Sequence, residues 1–134
     1  MKFFAVLLVI VSLPISSIAG DVYCTGVAFF YKDGFGKDSP LKIESGRIVS
    51  INTKTKALTI ESAIGEKLTV PYLDDSKIIS AQIPLHTEMY GNLVDTENIS
   101  IEKSTGKIKG TFVLTDKQTY SAFEGKCKKA EKSP

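Results

Sequence analysis

The segment FEGKCKKAEKSP, residues 123–134, ends the chain and contains Cys127, one of its two cysteines. The other, Cys24, lies near the opposite end in DVYCTG, residues 21–26. Two cysteines in an exported chain indicate one disulfide; two free thiols or an intermolecular bond are the alternatives. A disulfide requires the two Cα atoms to lie within about 7 Å of each other. The pairing therefore predicts that the first and last strands of the domain are neighbours.

Export itself is predicted by the first residues, which have the three parts of a secretory signal peptide. Lys2 supplies the positive charge, residues 3–11 form an apolar run, and Ser17 and Ala19 are the small residues that a signal peptidase reads. We therefore predict a signal peptide over residues 1–19, and a periplasmic or secreted mature protein.

An uncleaved membrane anchor is the alternative for this segment. A spanning helix needs about 20 mostly apolar residues, whereas residues 3–18 are fewer and include Pro14. We therefore expect no stable membrane span after cleavage. The rest of the chain is predicted to form a single β-domain over residues 20–128, followed by a disordered basic tail over residues 129–134.

The charge balance argues against nucleic acid as a partner. The chain has 17 basic and 15 acidic side chains, and its formal net charge is +2 at pH 7. A nucleic-acid-binding domain normally carries a strongly basic patch. Here lysines cluster only near the C-terminus, where a charged run is typical of a solvated chain end.

After residue 20 the sequence is typical of β-structure. Residues 57–63, ALTIESA, alternate between apolar Leu58 and Ile60 and polar Thr59 and Glu61, as in a half-buried strand. Further segments rich in β-branched and aromatic residues are predicted as strands at residues 22–31, 41–51, 67–73, 77–83, 85–94, 98–103, 107–114 and 119–127. Among these, residues 85–94 give the weakest pattern, which also fits a short helical turn.

Seven or eight short strands joined by short turns predict an antiparallel sandwich or barrel. The segments 98–103 and 107–114 form the clearest hairpin, and Gly106 lies where its turn requires a positive φ. Gly46, in the middle of the second strand, suggests a bulge or bend. Because a disulfide joining the first and last strands would close a meander, we predict an all-β, eight-stranded antiparallel barrel, with a β-sandwich as the alternative.

Three short motifs carry a family resemblance: YCTG at 23–26, STGKIKG at 104–110 and FEGKCKK at 123–129. With the signal peptide, they resemble small secreted bacterial β-proteins of unassigned function. The resemblance implies a compact periplasmic β-domain and supplies no catalytic residues. The chain is also similar, more distantly, to the periplasmic inhibitors of c-type lysozyme. Their Ser-Gly-x-x-Tyr loop is absent here, because Val49 takes the place of the tyrosine.

No residue pattern indicates catalysis, a metal or a cofactor. His86 is the one histidine, and Glu88 is its nearest carboxylate on the same side of a strand. A structural zinc site usually has four ligands and a catalytic one three. Asp74 and Asp75 are adjacent, as paired acids could be in a glycosidase, but their neighbours are typical of a polar turn. We predict a non-enzymatic protein without a cofactor.

Aromatic residues beside a glycine-rich loop suggest a contact surface. Phe29, Phe30 and Tyr31 alternate across a strand, so Phe29 or Phe30 must face outward or lie under a loop. Phe30, Tyr31 and Phe35 are therefore candidates for contact with a partner, unless the loop folds back over them. We expect a binding or interaction module whose partner is an envelope protein or a small apolar ligand. A structural envelope protein without a ligand and an inhibitor of a secreted hydrolase are the alternatives.

Overall fold

The computed structural model describes residues 20–37 and 39–129. The predicted signal peptide, residues 1–19, and residues 130–134 of the predicted basic tail lie outside the described residues. The described chain forms strands β1 (Gly20–Phe30), β2 (Leu41–Asn52), β3 (Ala57–Glu61), β4 (Lys67–Asp74), β5 (Ile78–Met89), β6 (Asn92–Glu102), β7 (Lys107–Leu114) and β8 (Thr119–Lys129). No helix in these ranges is long and apolar enough to cross a bilayer.

The eight strands form a closed antiparallel barrel in which each strand pairs with the next along the chain. β8 returns to β1, and their ladder runs from Val22 opposite Lys129 to Ala28 opposite Phe123. The predicted meander barrel is therefore confirmed and the sandwich alternative is wrong. Closure pairs the outer edges of β1 and β8, which would otherwise be left exposed.

Alternation along the strands builds the core. In β5, Ile79, Ala81, Ile83 and Leu85 are buried while the residues between them are more exposed. The same period-two pattern appears in β3 and β7. Side chains of successive strand residues point to opposite faces, so one face of every strand fills the barrel and the other meets solvent. Aliphatic residues from β3 to β7 make up half of the buried core residues.

Cys24 and Cys127 are joined in a disulfide, as predicted. They are direct partners in the β1–β8 ladder. Their Cα atoms lie 3.9 Å apart, and both side chains are buried in the core. The first and last strands are thus linked by sulfur as well as by backbone hydrogen bonds.

Two turns show how local sequence sets the hairpins. Gly106 has a φ of 76°, so the predicted positive-φ position in the β6–β7 turn is confirmed. In the β5–β6 turn, Tyr90 and Gly91 both have positive φ, 51° and 80°. They lie between the paired residues Met89 and Asn92, which makes this a two-residue turn of the type that suits the twist of a hairpin. Residues 85–94 are therefore two strand ends and a turn, without a helical turn.

Gly46 differs from its prediction. The β1–β2 ladder is continuous from Gly20 to Phe30, and Gly46 pairs with Thr25 without a bulge. The reason for glycine is space, because a Cβ at this position would overlap the phenolic oxygen of Tyr23. Bulges occur instead in β5, between Pro84 and Thr87, and where β6 and β7 pair near Val94.

Candidate ligand-binding cavity

The β3–β4 hairpin is shorter than β2 and β5, the strands on either side of it, so the barrel wall is low on this side. β2 pairs with β3 only over Val49–Asn52. On the far side of the hairpin, β4 pairs with β5 only over Tyr72–Asp74. The second ladder stops beside Pro71, which has no N–H to donate. Beyond these short ladders, towards the β1–β2 loop and the β5–β6 turn, β2 pairs only with β1 and β5 pairs only with β6.

A cavity of about 630 Å³ lies at this low side of the wall. Its lining includes interior residues of several strands and outer residues of β1 and β2, so it runs from the core to the surface. The interior part is lined by Phe29, Met89, Tyr90, Phe112, Ala122 and Phe123, together with Arg47 and Glu97. At its outer part lie Tyr23, Gly46 and Ile48. The cavity therefore combines aromatic walls with this buried charged pair and with further polar and charged residues, which are Asp21, Ser45, Ser50, Thr59, Glu61, Ser62 and Lys67.

The charged pair is a two-point contact between Arg47 and Glu97. The Nη1 group of Arg47 donates to Glu97 Oε2 at 2.8 Å, and its Nη2 group donates to Oε1 at 3.0 Å. The Glu97 side chain is only 1% exposed and that of Arg47 only 11%. Removing such charges from water is costly, and good geometry with further hydrogen bonds is needed to offset that cost. This parallel arrangement is the strongest form of arginine–carboxylate contact.

Neighbouring groups fix the pair in place. Arg47 Nη2 also donates to the backbone oxygen of Glu61 at 2.9 Å, which ties the end of β3 to β2. The guanidinium lies over the ring of Phe123, with its carbon 5.6 Å from the ring centre. Gly110 gives the carboxylate its space, since a Cβ there would overlap Glu97 Oε2. The pair is thus a pre-formed polar group in the interior part of the cavity.

The β1–β2 loop fills the barrel beside the cavity with aromatic rings. Phe35 stacks on Tyr120 with ring centres 4.7 Å apart, and also contacts Tyr31 and Tyr90 at 4.8 and 5.2 Å. The hydroxyl of Tyr31 donates to the backbone oxygen of Ser121 at 2.5 Å. Because Tyr90 also lines the cavity, this cluster forms part of the cavity wall.

The predicted contact residues are therefore divided by the fold. Tyr31 and Phe35 are buried, because the loop folds back over them, which is the alternative raised from the sequence. Phe30 remains partly exposed and packs edge-on against Tyr90 at 5.5 Å between ring centres. Of the three, Phe30 is the one whose side chain a partner can reach.

Burial also changes the acidity of two of these phenols. It raises the pKa of Tyr31 above its usual value, and the nearby Tyr90, Tyr120 and Glu124 raise it further. Burial alone raises the pKa of Tyr90. The charged form of each phenol is disfavoured where water is excluded. Both rings are therefore neutral hydrogen-bonding groups at physiological pH.

Arg47 and Glu97 were not recognised from the sequence. The alternation of residues in β2 and β6 does, however, contain a signal that could identify both residues as inward-facing. Arg47 lies two residues before Val49, and Glu97 two before Ile99, so both share the inward side of apolar neighbours. Charged residues on the buried side of two strands indicate either a pair or an error in register.

The histidine and the adjacent acids considered from the sequence lie outside the cavity lining. His86 is 72% exposed and its Nδ1 lies 2.8 Å from Asp95 Oδ1, outside the cavity lining. It approaches this acid rather than Glu88 because a bulge gives His86 a φ of 45°. Among the described residues, no group of three or more His, Cys, Asp or Glu could hold a metal ion.

The adjacent acids Asp74 and Asp75 are both engaged in local contacts. A hydrogen bond from Lys103 is the main cause that lowers the pKa of Asp74. The backbone N–H groups of Lys77 and Ile78 lower that of Asp75. Both are therefore ionised at neutral pH and neither is suited to act as a general acid. Asp75 stabilises the β4–β5 turn, as the polar-turn interpretation predicts, whereas Asp74 forms ion pairs with Lys56 and Lys103 from two neighbouring turns.

Comparison with known proteins adds no assignment. No protein-family model, no curated protein and no solved structure matches this chain.

Proposed function

We propose that this protein is an exported, non-enzymatic binding module that holds a small, largely apolar ligand in the cavity at the low side of its barrel. The ligand we infer is an aromatic or branched apolar molecule with one hydrogen-bond acceptor. The cavity of about 630 Å³ beside the β3–β4 hairpin is the observation that carries this proposal. Ligand sites in proteins typically measure about 300–1,000 Å³.

The lining supports the apolar part of the ligand. Phe29, Phe112 and Phe123 offer ring surfaces, and Met89 is a flexible side chain that adapts to irregular shapes. Sites of this kind are mostly apolar, with a few placed polar groups that set orientation.

The polar part of the proposal rests on Arg47. Its hydrogen bonds to Glu97 and Glu61 use the two terminal nitrogens of the guanidinium. A guanidinium has five N–H donors in all. A carbonyl, hydroxyl or carboxylate oxygen on the ligand can accept from a remaining donor. Because Glu97 already neutralises Arg47, the site does not require an anionic ligand.

The fold supports access to this site from the side. β2 and β5 are long, whereas the β3–β4 hairpin between them is short, so the wall has a permanent opening. The end of the barrel beside this opening is filled by Phe35 and its aromatic neighbours. A ligand would therefore enter past Ile48 and Gly46 without displacing the loop.

Export to the periplasm or the medium belongs to the same proposal. A disulfide between Cys24 and Cys127 is compatible with an oxidising compartment. The predicted signal peptide, residues 1–19, is the sequence feature that favours this location.

Fluorescence titration with 1-aminoanthracene tests the site directly, because this probe is a small neutral aromatic molecule. We expect saturable binding at one site, with a dissociation constant in roughly the micromolar range. Ala122→Phe places a ring into the cavity and should weaken binding about tenfold or more. Lys109→Phe, at an exposed position whose ladder partners Ser100 and Glu124 also lie outside the lining, is the matched control and should bind as the wild type does.

Equal binding by the wild type and by a correctly folded Ala122→Phe variant would contradict the proposed site. Absence of saturable binding, followed by capture of a specific envelope protein from an extract, would instead favour a protein partner. Mass spectrometry of small molecules that copurify with the protein would identify the natural ligand.

A further inference from the structure

The first half of β2 is an open strand edge. Leu41–Gly46 pairs with β1 on one side, while the ladder to β3 covers only Val49–Asn52 on the other. Its side chains are also uncovered: Leu41 is 54% exposed and Ile43 is 51% exposed. An edge strand presents unpaired N–H and C=O groups that can pair with another chain. Within residues 20–37 and 39–129, no strand pairs with this edge or covers its apolar side chains.

The sequence of this edge is complementary to itself. Residues 41–45 read LKIES. Lys42 and Glu44 precede and follow Ile43, so their two side chains share one face of the strand and that of Ile43 lies on the other. When two copies run antiparallel about Ile43, Lys42 of each copy faces Glu44 of the other. The two Ile43 side chains then face each other, and Leu41 faces Ser45. A lone lysine at an edge would oppose such pairing, but here Glu44 supplies its counter-charge.

Charge also selects one register among the alternatives. A shift in one direction places Lys42 opposite Lys42 of the second copy, and a shift in the other places Glu44 opposite Glu44. Like charges that face each other across a strand pair are destabilising, whereas opposite charges stabilise. Only the register about Ile43 pairs both charges and keeps the apolar side chains on one face.

We propose that this edge is an interaction surface for a second copy of the chain, which pairs antiparallel through Leu41–Ser45 about a two-fold axis at Ile43. Such an interface is isologous, so it closes on itself as a dimer and leaves no part of this β2 edge for growth. It uses up the open half of β2, the part of the β1–β2 hairpin that β3 does not cover.

This inference goes beyond ligand binding and does not depend on it. The edge residues Leu41, Lys42, Ile43 and Glu44 do not line the cavity, although Ser45 does and the Lys42 ammonium lies 5.9 Å from the ring centre of the lining residue Phe29. Each edge variant is also titrated with 1-aminoanthracene, which detects any effect on the cavity. Loss of dimerisation in an edge variant and loss of 1-aminoanthracene binding in Ala122→Phe are therefore separate outcomes.

Charge exchange on the full-length protein, as purified after expression, tests the register. Sedimentation velocity over a concentration series should show a monomer–dimer equilibrium. Lys42→Glu and Glu44→Lys each create two like-charge pairs per dimer and should raise the dissociation constant about tenfold. The double exchange K42E/E44K restores opposite charges and should return the constant to within about threefold of wild type. A monomer at all concentrations, or single variants that dimerise as the wild type does, would overturn the proposal.

A cysteine crosslink tests the axis. Ile43→Cys places two thiols opposite each other and should yield a covalent dimer under mild oxidation. Ile48→Cys, also exposed and on the same strand, does not meet itself in this register and should yield no covalent dimer. Equal crosslinking of the two variants would exclude a two-fold axis at Ile43.

Discussion

Cys24 and Cys127 face each other directly across the β1–β8 ladder, although 103 positions separate them in the sequence. Both are buried, and their neighbours in the ladder pair without interruption from Val22 to Ala28. The bond therefore lies at the seam where the barrel closes. It joins the first strand to the last in the place where the chain itself provides no connection.

Removal of this bond should lower stability substantially. Cys24→Ala with Cys127→Ala opens a loop of about 100 residues, for which chain entropy alone gives about 4.7 kcal/mol. We expect a loss of about 2–5 kcal/mol in the free energy of unfolding, measured by urea denaturation. Wild-type protein in a reducing agent should behave like the double variant. An unchanged urea midpoint in both would show that the seam holds without the disulfide.

Gly106 is expected to be far less replaceable than Gly65. Both have positive φ, 76° and 87°, but a Cβ at Gly106 would overlap the backbone oxygen of Cys127 while one at Gly65 meets nothing within 4 Å. Gly65→Ala should cost about 1–2 kcal/mol for the left-handed backbone alone. Gly106→Ala should cost clearly more, because Gly106 also accepts the Cys127 N–H at the seam. Equal losses in thermal unfolding would mean that the β8 backbone moves aside freely.

The buried pair Arg47 and Glu97 should show strong coupling in a double-mutant cycle. Arg47→Met or Glu97→Leu alone leaves one charge buried without its partner and should cost about 3–5 kcal/mol in urea unfolding. The double variant removes both charges and should lose less than either single variant, since two apolar side chains can pack together. Additive losses would indicate that the two side chains act independently.

Alkaline pH should weaken the loop end of the barrel. The raised pKa of Tyr31 means that the folded state keeps its phenolic proton where the unfolded state has lost it. The folded state then binds more protons, so stability falls as the pH rises above about 10, the usual tyrosine value. Absorbance at alkaline pH should show Tyr31 and Tyr90 ionising above the usual tyrosine pKa of about 10.

The matched variant for this titration is Tyr31→Phe. It should remove one late-ionising group and lessen the alkaline loss, while also losing the hydrogen bond to Ser121. If Tyr31 and Tyr90 ionised at the usual tyrosine value in the folded protein, burial of the aromatic cluster would be contradicted.

Replacement of His86 should have little effect. Its ion pair with Asp95 is exposed, and such pairs contribute about 0–1 kcal/mol. His86→Ala should therefore unfold within about 1 kcal/mol of wild type and bind 1-aminoanthracene unchanged. Loss of probe binding in this variant would place the site elsewhere on the barrel.

Much of the fold could be predicted because its determinants are local. Alternation of Leu58 and Ile60 with polar residues identifies a strand wherever that strand is placed. Gly106 identifies a turn because few other residues adopt its backbone angles. The disulfide then provided the one long-range constraint, from which neighbouring first and last strands followed. Gly46 was assigned to a bulge because a glycine can relieve backbone bending or make room for a ring, and sequence does not distinguish the two.

The candidate cavity could not be predicted in the same way. Its opening depends on how far β3 and β4 extend along β2 and β5, which register decides. Arg47 and Glu97 lie 50 positions apart, and a polar residue on an inward face gives no indication of its partner. Likewise, the burial of Tyr31 and Phe35 depends on the path of the β1–β2 loop, and the glycines of that loop allow several different paths.

The sequence by itself thus determined the strands, the turns and the covalent closure of the barrel, because periodicity, backbone preference and cysteine pairing act through neighbouring atoms or a single bond. Only the tertiary structure decided where the wall is low, which charges meet inside it and which strand edge stays open. Those features arise from the relative lengths and registers of strands that are distant in sequence, and no local pattern records them.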